Sequence, residues 1–477
     1  MPENNNMNAL CVDLDGTIIS TDTLLESALA AAKINPFNLI LMLLWLLKGR
    51  ANLKKKIADI AIPEPAALPW REDVLDYIKE EKAKGREIVF ATATQQRIAD
   101  SIAEHLGIFD KVLASSAEHN LRSENKRKAL VDLYGEKGFD YIGDSKADFK
   151  VWKFAANALV VQPSDSFLKK VKSITNVSKV FKHEHNKFRL IIKELRIYQW
   201  LKNLLVIIPL LLAHRLDSGL IGQSVLAFFA FGMTASFVYV LNDLLDLTSD
   251  RLHPRKRKRP LASGALSIPS TVIFSPLLLL GGATIAVFLL PANFAAALGV
   301  YFVLTTFYSF VLKRIVIVDV ITLSSLYTLR LIAGALAVDV VMSAWLLAFS
   351  IFFFLSLAMV KRFTEIKVMI EENKTKLNGR GYETVDINLI QIFGMASGYI
   401  SAMILTLYVN SSEVAPLYST PEFLWPVALC LLFWISRIWF IATRGQMDDD
   451  PIVFTSKDPV SYIVGFIVLI LVIGATI

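Results

Sequence analysis

Acidic and basic side chains occur together in one stretch, residues 242–264, directly after a long apolar run. Asp243, Asp246 and Asp250 are three and four residues apart, so on a helix their carboxylates share one face. Carboxylate oxygens suit Mg²⁺, which bridges to substrate phosphates, and neighbouring guanidinium and ammonium groups can bind the remaining phosphate charge. The cations of the stretch are Arg251, Arg255, Lys256, Arg257, Lys258 and Arg259. A solvated loop that only orients the membrane segments is the alternative, but it needs no acids. The stretch therefore predicts a diphosphate site, with Asn242 at its start, at a membrane surface.

The hydrophobicity of the chain changes near residue 195. The 477 residues allow more than one domain, and the mean hydropathy of +0.49 is too high for an ordinary soluble protein. The net charge of +7 lies in a few loops beside apolar runs, which indicates membrane orientation and phosphate binding rather than nucleic-acid binding. Cys11 and Cys430 are the two cysteines and exclude a disulfide framework.

In residues 1–165, short apolar strands end at polar side chains. The predicted strands are Asn8–Val12, Glu87–Ala91 and Phe139–Ile142, with amphipathic helices over 73–83 and 96–105 between them. This alternation is typical of an α/β doubly wound domain, in which functional groups collect at the carboxyl ends of parallel strands. The groups expected there are Asp13, Asp15, Thr92, Asp144 and Asp148.

These residues carry a resemblance to haloacid dehalogenase (HAD)-type phosphatases. The matching text is Asp13-Leu14-Asp15-Gly16-Thr17, then Thr92, Lys126 and Gly143-Asp144-Ser145-x-x-Asp148. The resemblance implies that Asp13 is the nucleophile, which forms an aspartyl-phosphate, and that Asp15 is the general acid/base. It implies phosphoryl-binding roles for Thr92 and Lys126. The implied Mg²⁺ ligands are Asp13, Asp15, Asp144 and Asp148.

Spacing alone leaves some of these assignments open. Thr94 competes with Thr92, and the cations that compete with Lys126 are Arg122, Arg127 and Lys128. A degenerate domain kept for folding or docking is a further alternative. The apolar segment Pro36–Leu47 is too short to span a bilayer and falls where this family inserts a cap, here about 20–70. We expect a cap helix that lies against the membrane or the second domain, or a buried core helix.

Downstream of a linker at 166–194, residues 195–477 contain nine apolar segments near the spanning length. They are 197–213, 219–241, 270–290, 293–312, 315–337, 343–360, 388–409, 422–443 and 459–477. Loops after the even-numbered segments hold nearly all Lys and Arg. The positive-inside rule therefore places them and the N-terminal domain in the cytoplasm, and the C-terminus outside.

Polar residues at the cytoplasmic ends of these segments predict one shared site. Its candidates are Lys202, Asn203, Tyr308, Lys313, Asp319, Arg330, Lys361, Arg362 and Glu365. Charges inside spans are costly and usually face a shared cavity, so Asp319 and Arg330 are expected to line it. For Lys313 and Lys361, snorkelling at a helix end is an equally good interpretation.

This half resembles the UbiA superfamily of membrane prenyltransferases through its nine-helix all-α transmembrane bundle and Asn242-Asp243-x-x-Asp246-x-x-x-Asp250. Quinone-type members carry a second aspartate-rich motif after the sixth span. Here the corresponding stretch, 361–367, has one acid, Glu365, among several cations. In this stretch, and in residues 198–203 and 250–264, the chain is similar to the decaprenyl-phosphate phosphoribosyltransferase branch.

The resemblance implies a bacterial inner-membrane enzyme that moves 5-phosphoribose from phosphoribosyl diphosphate to a polyprenyl phosphate, in cell-envelope biosynthesis. It implies Mg²⁺ on Asp243 and Asp246, with Asp250 beside them, and one Mg²⁺ in each domain. Donor phosphates would be bound by Arg251, Lys256, Arg259 and Lys361, and the lipid phosphate by Lys202 or Arg330. The fused phosphatase would act on the phosphoribosyl-lipid product. An aromatic-acceptor prenyltransferase and a membrane-tethered phosphatase remain alternatives, and the sequence leaves a homo-oligomer open.

Overall fold

A computed structural model describes residues 7–35, 37–116, 120–182, 186–215, 217–373, 380–411, 414, 417–447 and 450–476. The chain divides into two compact units. The first unit combines Met1–Leu195 with Val240–Phe274, and the second combines Arg196–Tyr239 with Ser275–Ile477. The predicted phosphatase half and the acid- and base-rich stretch 242–264 therefore belong to the same unit.

The first unit is built on one parallel sheet of six strands in the order β3-β2-β1-β4-β5-β6. The strands are β1 (Ala9–Val12), β2 (Ile88–Gln95), β3 (Lys111–Ser115), β4 (Phe139–Gly143), β5 (Asn157–Val161) and β6 (Asn176–Phe181). Val12 lies opposite Phe90 on one side and Ile142 on the other. This register brings the carboxyl ends of β1, β2 and β4 to one edge of the sheet. The predicted α/β doubly wound fold is confirmed.

Helices cover the sheet and extend from it. Those of residues 1–195 are α1 (Thr23–Ile34), α2 (Asn38–Leu47), α3 (Arg50–Ile60), α4 (Glu72–Ala83), α5 (Gln96–Leu106), α6 (Glu124–Tyr134), α7 (Phe149–Trp152), α8 (Asp165–Lys172) and α9 (Lys187–Glu194). Because side chains alternate along a strand, Leu10 and Val12 enter one apolar layer while Ala9 and Cys11 enter the other. The strand is buried on both faces, as a central parallel strand must be.

Two sequence-based expectations for this unit need correction, and one of the two alternatives for α2 is excluded. Strand β2 does not stop before Thr92 but continues to Gln95. The stretch 166–194 is not a plain linker, because α8 lies there and β6 pairs with β5, with Val161 opposite Phe181. The sheet therefore extends beyond residue 165. The cap segment α2 is not a buried core helix, since Leu43 and Leu47 are exposed; its predicted first residue, Pro36, lies outside the described residues.

The stretch 240–274 packs on helix α1 of the same unit. Helix α11 (Ser218–Leu245) is followed after one residue by α12 (Leu247–Leu252), and Asp246 separates them. Asp246 N–H donates to the Asn242 carbonyl at 2.8 Å, and Asp250 N–H donates to the Asp246 carbonyl at 2.8 Å, so helical spacing is kept. An apolar cluster joins Leu244, Leu247 and Leu261 to Leu25 and Leu29 of α1.

Most of the remaining helices are long and apolar, whereas two of them, Ile208–Leu212 and Pro451–Thr455, have five residues each. These helices are α10 (Ile208–Leu212), α13 (Ile268–Phe288), α14 (Ala292–Phe310), α15 (Val318–Ala337), α16 (Ala344–Glu371), α17 (Ile387–Val409), α18 (Trp425–Thr443), α19 (Pro451–Thr455) and α20 (Pro459–Thr476). Among the described residues, eight helices are long and apolar enough to cross a membrane, or up to nine if one bent pair counts as a span. The chain is therefore a multi-pass membrane protein.

The first predicted span, 197–213, differs most from expectation. It is a 3₁₀ segment, Ile197–Val206, followed by α10, and it forms the bent pair with α9 at an angle of 42°. Pro209 at the start of α10 lacks the N–H that a continuous helix would need. Gly334 of α15 lies against the Val206 carbonyl, where a Cβ would clash. This close approach positions Asn203 near the polar face of α15.

Gly264 provides a test of how the stretch 240–274 packs on the phosphatase fold. Its φ is +73°, and an added Cβ would lie 2.5 Å from Ser20 Cβ. We expect Gly264→Ala to destabilise the first unit by more than the about 1 kcal/mol of a left-handed alanine, because the clash adds to the backbone strain. Thermal unfolding of the purified chain measures the loss.

Gly107→Ala is the matched control for this prediction. Gly107 also has a positive φ, +62°, but no atom lies within 4 Å of its added Cβ. It therefore reports backbone strain alone. Equal losses for the two variants would show that the Ser20 contact does not matter.

Candidate active sites

The carboxyl edge of the sheet brings the phosphatase-like residues together. Asp13 follows β1 directly, and Lys126 enters from α6 with its Nζ 2.9 Å from Asp13 Oδ1. Lys126 Nζ also donates to Tyr141 Oη at 2.8 Å. Burial alone would lower the pKa of Lys126, but the carboxylates of Asp13 and Asp148 outweigh it and raise that pKa. A buried, charged ammonium group beside a carboxylate is suited to bind a phosphoryl group that the carboxylate attacks.

The geometry also separates Lys126 from the cations that compete with it in the sequence. Arg127 donates to Glu124 Oε1 at 2.8 and 2.6 Å, and Arg122 and Lys128 are exposed. Lys126 is the one of these four whose side chain is buried and reaches Asp13. The structure thus favours Lys126, although its role stays a prediction.

Three carboxylates at this edge are close enough to hold a metal ion. Asp13, Asp144 and Asp148 each offer an oxygen, and these atoms lie within 4.8 Å of one another. Burial, followed by the charges of Asp148 and Asp13, raises the pKa of Asp144 to about 8. Mutual repulsion of this kind is relieved by a divalent cation, and oxygen ligands are those that Mg²⁺ prefers. The donor set therefore fits Mg²⁺.

Asp15 lies in a separate hydrogen-bond network next to the triad. It accepts from Thr23 N–H at 2.8 Å and from Thr94 Oγ1 at 2.9 Å. Burial, with the nearby charge of Asp22, raises the pKa of Asp15 to about 7. A carboxyl group with such a pKa can both release and accept a proton near neutral pH. Thr94 thus contacts Asp15, whereas Thr92 Oγ1 accepts from the Thr94 N–H at 3.1 Å.

In the stretch 242–264, Arg259 joins two of the three aspartates. Its Nη1 donates to Asp243 Oδ1 at 2.9 Å and to Asp250 Oδ2. Lys256 Nζ lies 3.7 Å from the other oxygen of Asp250. Asp243 and Asp250 therefore do share one face, as predicted. Among the described acids, however, only the phosphatase triad meets the spacing of a three-carboxylate metal site.

Arg251 is bound to the phosphatase fold. Its Nη1 and Nη2 donate to the two carboxylate oxygens of Glu26, each at 2.8 Å, and its Nε donates to the Ala262 carbonyl at 3.0 Å. Both side chains are 6% exposed. Glu26 also accepts from Thr21 Oγ1 at 2.6 Å. The predicted donor-binding role of Arg251 would require this ion pair to open or to be shared.

In the second unit, two lysines share one aspartate. Lys202 Nζ donates to Asp450 Oδ2, and Lys361 Nζ lies 3.5 Å from the same oxygen. Asp450 also caps α19 by accepting from Ile452 N–H at 3.0 Å. Among the described residues, one carboxylate therefore lies between two lysines, an arrangement that suits the binding of an additional anion.

Arg330 lies near Lys202, and neutral groups hold its side chain. Its Nε donates to Asn203 Oδ1 at 3.0 Å and its Nη2 to Tyr301 Oη at 2.9 Å. Tyr327 connects it to Lys202, since its ring centroid lies 5.5 Å from Arg330 and 5.9 Å from Lys202. Cation–π contacts hold both cations in place without neutralising them.

Several charged and polar side chains surround Asp319 at the start of α15. Arg362 is bidentate to it, Arg380 Nη1 lies 3.1 Å from its Oδ1, and Tyr308 Oη donates to it at 2.7 Å. Arg362 Nη1 also pairs with Glu365, which lies 3.2 Å from Arg380 Nε. The sequence placed Lys361, Arg362 and Glu365 after the sixth span, but α16 continues to Glu371 and includes them.

An apolar cavity of about 420 Å³ opens beside Lys202. Its wall is formed by Leu201, Leu205 and Ile208 together with aromatic side chains of α16 and α18, among them Phe353 and Trp434. Lys202 is the one charged residue that lines it within the described part of the chain. An apolar space with a single cation suits an amphiphile that has an anionic head group.

Two family models match the chain, one in each half. The UbiA prenyltransferase family model matches residues 204–457, more than half of the chain, and the haloacid dehalogenase-like hydrolase model matches residues 10–153. The chain belongs to the UbiA prenyltransferase family. It is a UbiA-type transferase with an N-terminal HAD-type phosphatase domain.

Three relatives define the similarity further. "Uncharacterized protein y4nM" of Sinorhizobium fredii is 37% identical over 462 residues, 96% of this chain and 89% of that protein. "Nodulation protein NoeC" of Azorhizobium caulinodans is 36% identical over 265 residues, 55% of this chain and 85% of that protein. The decaprenyl-phosphate phosphoribosyltransferase of Mycolicibacterium smegmatis is 36% identical over 186 residues, 37% of this chain and 57% of that enzyme.

Some residues of the candidate sites were missed in the sequence, and the roles of some predicted residues are not tested by the structure. Asp450, Arg380, Tyr301 and Glu26 were not predicted, although Asp450 could have been suspected from the aspartates that precede Pro451. Asn242 is half-buried and offers its carbonyl to Asp246 N–H. Lys313 lies in a short 3₁₀ segment after α14. Their substrate-binding roles stay predictions.

The Arg251–Glu26 ion pair gives a testable prediction about stability. Glu26→Gln leaves a buried guanidinium group without its counter-charge, which typically costs about 3–5 kcal/mol. We expect a lower melting temperature for this variant. Glu80→Gln on α4, an exposed carboxylate, is the control and should leave it unchanged.

A second variant separates charge from packing. In Glu26→Gln with Arg251→Met, the buried charge is gone, and we expect most of the lost stability to return. If the single and double variants melted at the same temperature, burial of the charge would not be the cause.

Proposed function

We propose that the chain transfers 5-phosphoribose from phosphoribosyl diphosphate to a polyprenyl phosphate, and that its phosphatase domain removes the 5-phosphate from the product. The observation that carries the proposal is the cationic character of α16. Lys361 and Arg362 lie there with Arg380 nearby, and the acid of this stretch, Glu365, is paired with the two arginines. Quinone-type relatives use acids and a second metal ion at this place. Cations instead suit a donor with an additional phosphate.

Similarity to decaprenyl-phosphate phosphoribosyltransferases supports this choice of donor and acceptor. It covers 37% of the chain and 57% of the Mycolicibacterium smegmatis enzyme, so the substrates of the whole chain are part of the proposal. The apolar cavity supports a lipid acceptor, because a polyprenyl chain needs apolar walls and its phosphate needs a cation. Lys202 at the cavity wall is the residue we assign to that phosphate.

The donor is assigned to the stretch 242–264. Asp243 and Asp246, with Asp250, would hold Mg²⁺, which would neutralise the diphosphate leaving group. Arg259 now bridges Asp243 and Asp250, so both carboxylates are compensated in the described state. We propose that the donor diphosphate takes over Arg259 and Lys256 as partners. Charge then stays balanced when the ligand binds.

The transfer itself exchanges one bond at ribose C1 for another. The bond from C1 to the diphosphate oxygen breaks, positive charge develops at C1, and an oxygen of the polyprenyl phosphate forms the new bond. The chain's own groups stabilise the departing diphosphate and align the lipid phosphate. No general base is required, since the lipid phosphate is already an anion at neutral pH.

In the phosphatase domain, Asp13 would attack the phosphorus atom and form an aspartyl-phosphate. Asp15 would protonate the leaving ribose oxygen and then accept a proton from the water that hydrolyses the intermediate. Lys126 and Thr92 would hold the phosphoryl oxygens. Asp13, Asp144 and Asp148 would hold Mg²⁺, which supplies charge neutralisation.

For location, we propose the bacterial inner membrane with the phosphatase domain in the cytoplasm and the C-terminus outside. The basic stretch 251–259 follows α11, and the basic stretch 361–367 lies in the C-terminal part of α16, both on the side that the positive-inside rule assigns to the cytoplasm. Phosphoribosyl diphosphate is highly charged and cannot pass freely through a bilayer, so we expect it to be bound on the cytoplasmic side.

Incorporation of ribose-labelled phosphoribosyl diphosphate into lipid tests the transferase. We expect membranes that contain the intact chain to label a polyprenyl phosphate, and Asp243→Asn to reduce the rate by about a hundredfold or more. Asp132→Asn, an exposed aspartate on α6, is the matched control and should keep full activity. No label in lipid, together with transfer of a prenyl diphosphate to an aromatic acceptor, would place the chain in the quinone branch instead.

Release of inorganic phosphate from the labelled lipid tests the coupled phosphatase. We expect Asp13→Asn to stop phosphate release because the nucleophile is lost, while incorporation of label into lipid continues. Accumulation of the phosphoribosyl lipid in this variant is the measurement. An intact chain that makes this lipid without ever releasing phosphate from it would contradict the coupling.

A further inference from the structure

Helix α2 presents an apolar surface that the described protein does not cover. Leu39, Ile40, Leu43, Leu44 and Leu47 are each more than half exposed, and Leu47 is 85% exposed. The large hydrophobic side chains of α2 do not enter the apolar clusters formed by the described residues. A contiguous surface of this kind in a soluble fold marks an interaction site.

The helix is nevertheless fixed to the cap at its two ends. Asn38 is buried and its Nδ2 donates to the Ala31 carbonyl of α1 at 2.8 Å. Asn52 Nδ2 of α3 donates to the Trp45 carbonyl at 3.5 Å. The exposed leucines therefore belong to an anchored helix that holds its apolar surface outward.

We propose that α2 lies in the interface of an anionic lipid bilayer and seats the phosphatase cap on the membrane. At ten residues it is about 15 Å long, half the thickness of the hydrocarbon core, so it lies in the membrane plane rather than crossing it. The chain's own spans keep a bilayer at high effective concentration.

The charges around α2 identify a bilayer as its partner. Lys33 precedes the helix, Lys48 follows it, and Lys55 and Lys56 lie on α3, all with exposed side chains. Apolar residues bordered by lysines are typical of helices that bind anionic lipid surfaces. In an antiparallel pair formed with a second copy, Lys33 would instead meet the Lys48 of the other chain, which is unfavourable.

The position of α2 links the membrane to the phosphatase pocket. Helices α1 and α3 on either side of it contribute to the pocket at Asp15, through Thr23 and Lys54. Thr23 N–H donates to Asp15, and Lys54 Nζ donates to the Ala93 carbonyl at 3.1 Å. A cap seated on lipid would hold this pocket at the membrane surface. Its substrate would then be a phosphate ester on a lipid, a consequence that rests on the proposed function.

Spin-label accessibility on the full chain tests the membrane seat itself. Leu43→Cys, in a Cys430→Ser background, carries a nitroxide in nanodiscs of phosphatidylcholine and phosphatidylglycerol; Cys11 is buried in β1. Leu133→Cys on α6 is the control, because Leu133 is 51% exposed on the same domain. Collisions with oxygen report lipid, and collisions with a nickel chelate report water.

We expect the ratio of oxygen to nickel collisions to be about tenfold higher at residue 43 than at residue 133, because α2 is in the lipid interface. Equal nickel accessibility at both positions would overturn the proposal. So would a label at residue 43 that is shielded from both reagents, the result expected if protein or a second copy covers α2.

A kinetic measurement addresses the substrate and keeps the two proposals apart. Leu43→Glu with Leu47→Glu should raise the KM for a lipid phosphate ester in vesicles at least severalfold, with hydrolysis of soluble para-nitrophenyl phosphate unchanged. Leu133→Glu should change neither. An equal loss on both substrates would overturn the link to lipid substrates. If the intact chain hydrolysed neither substrate, the proposed phosphatase function would fail, while the accessibility result would still decide where α2 lies.

Discussion

The buried ion pair of Arg251 and Glu26 is the constraint on which the first unit depends. Neither charge can be left alone at 6% exposure without a cost of several kcal/mol, so α1 and the stretch 240–274 must fold together. Glu26 lies one turn after Thr23, whose N–H donates to Asp15. The same short helix therefore positions a catalytic candidate of the phosphatase and an arginine of the transferase motif. Changes at one site can reach the other through α1.

Paired charge also describes most of the predicted phosphate-binding residues, whereas Arg330 is held by neutral groups. Lys126 is paired with Asp13, Arg259 with Asp243 and Asp250, Lys202 and Lys361 with Asp450, and Arg362 with Asp319. An anionic ligand that replaces a carboxylate partner keeps the number of compensated charges constant. If these residues bind phosphates as proposed, we expect binding to proceed by exchange of one anionic partner for another.

Local patterns were enough to predict three of the six strands, the α/β class of the domain and most spans. Strand β1 is a continuous apolar run that ends at Asp13, so it could be recognised, whereas β6 could not. The sequence of β6, Asn176–Phe181, mixes polar and apolar residues without a continuous apolar run, because it is an edge strand with exposed residues. Glu26 could not be predicted as a partner either, since 225 residues separate it from Arg251 and no local spacing connects them.

The contacts of Glu365 bear on which branch of the transferase family the chain resembles. This residue is the acid that stands where quinone-type relatives have a metal-binding cluster, and it is bound by Arg362 and Arg380. If it coordinated a metal ion, the buried guanidinium group of Arg362 and the partly buried one of Arg380 would have to give up this partner beside a new positive charge. An anion at this position instead adds a partner for both arginines. The electrostatics of α16 thus support the proposed donor, phosphoribosyl diphosphate, whose additional phosphate group would be bound by cations rather than by a second metal ion.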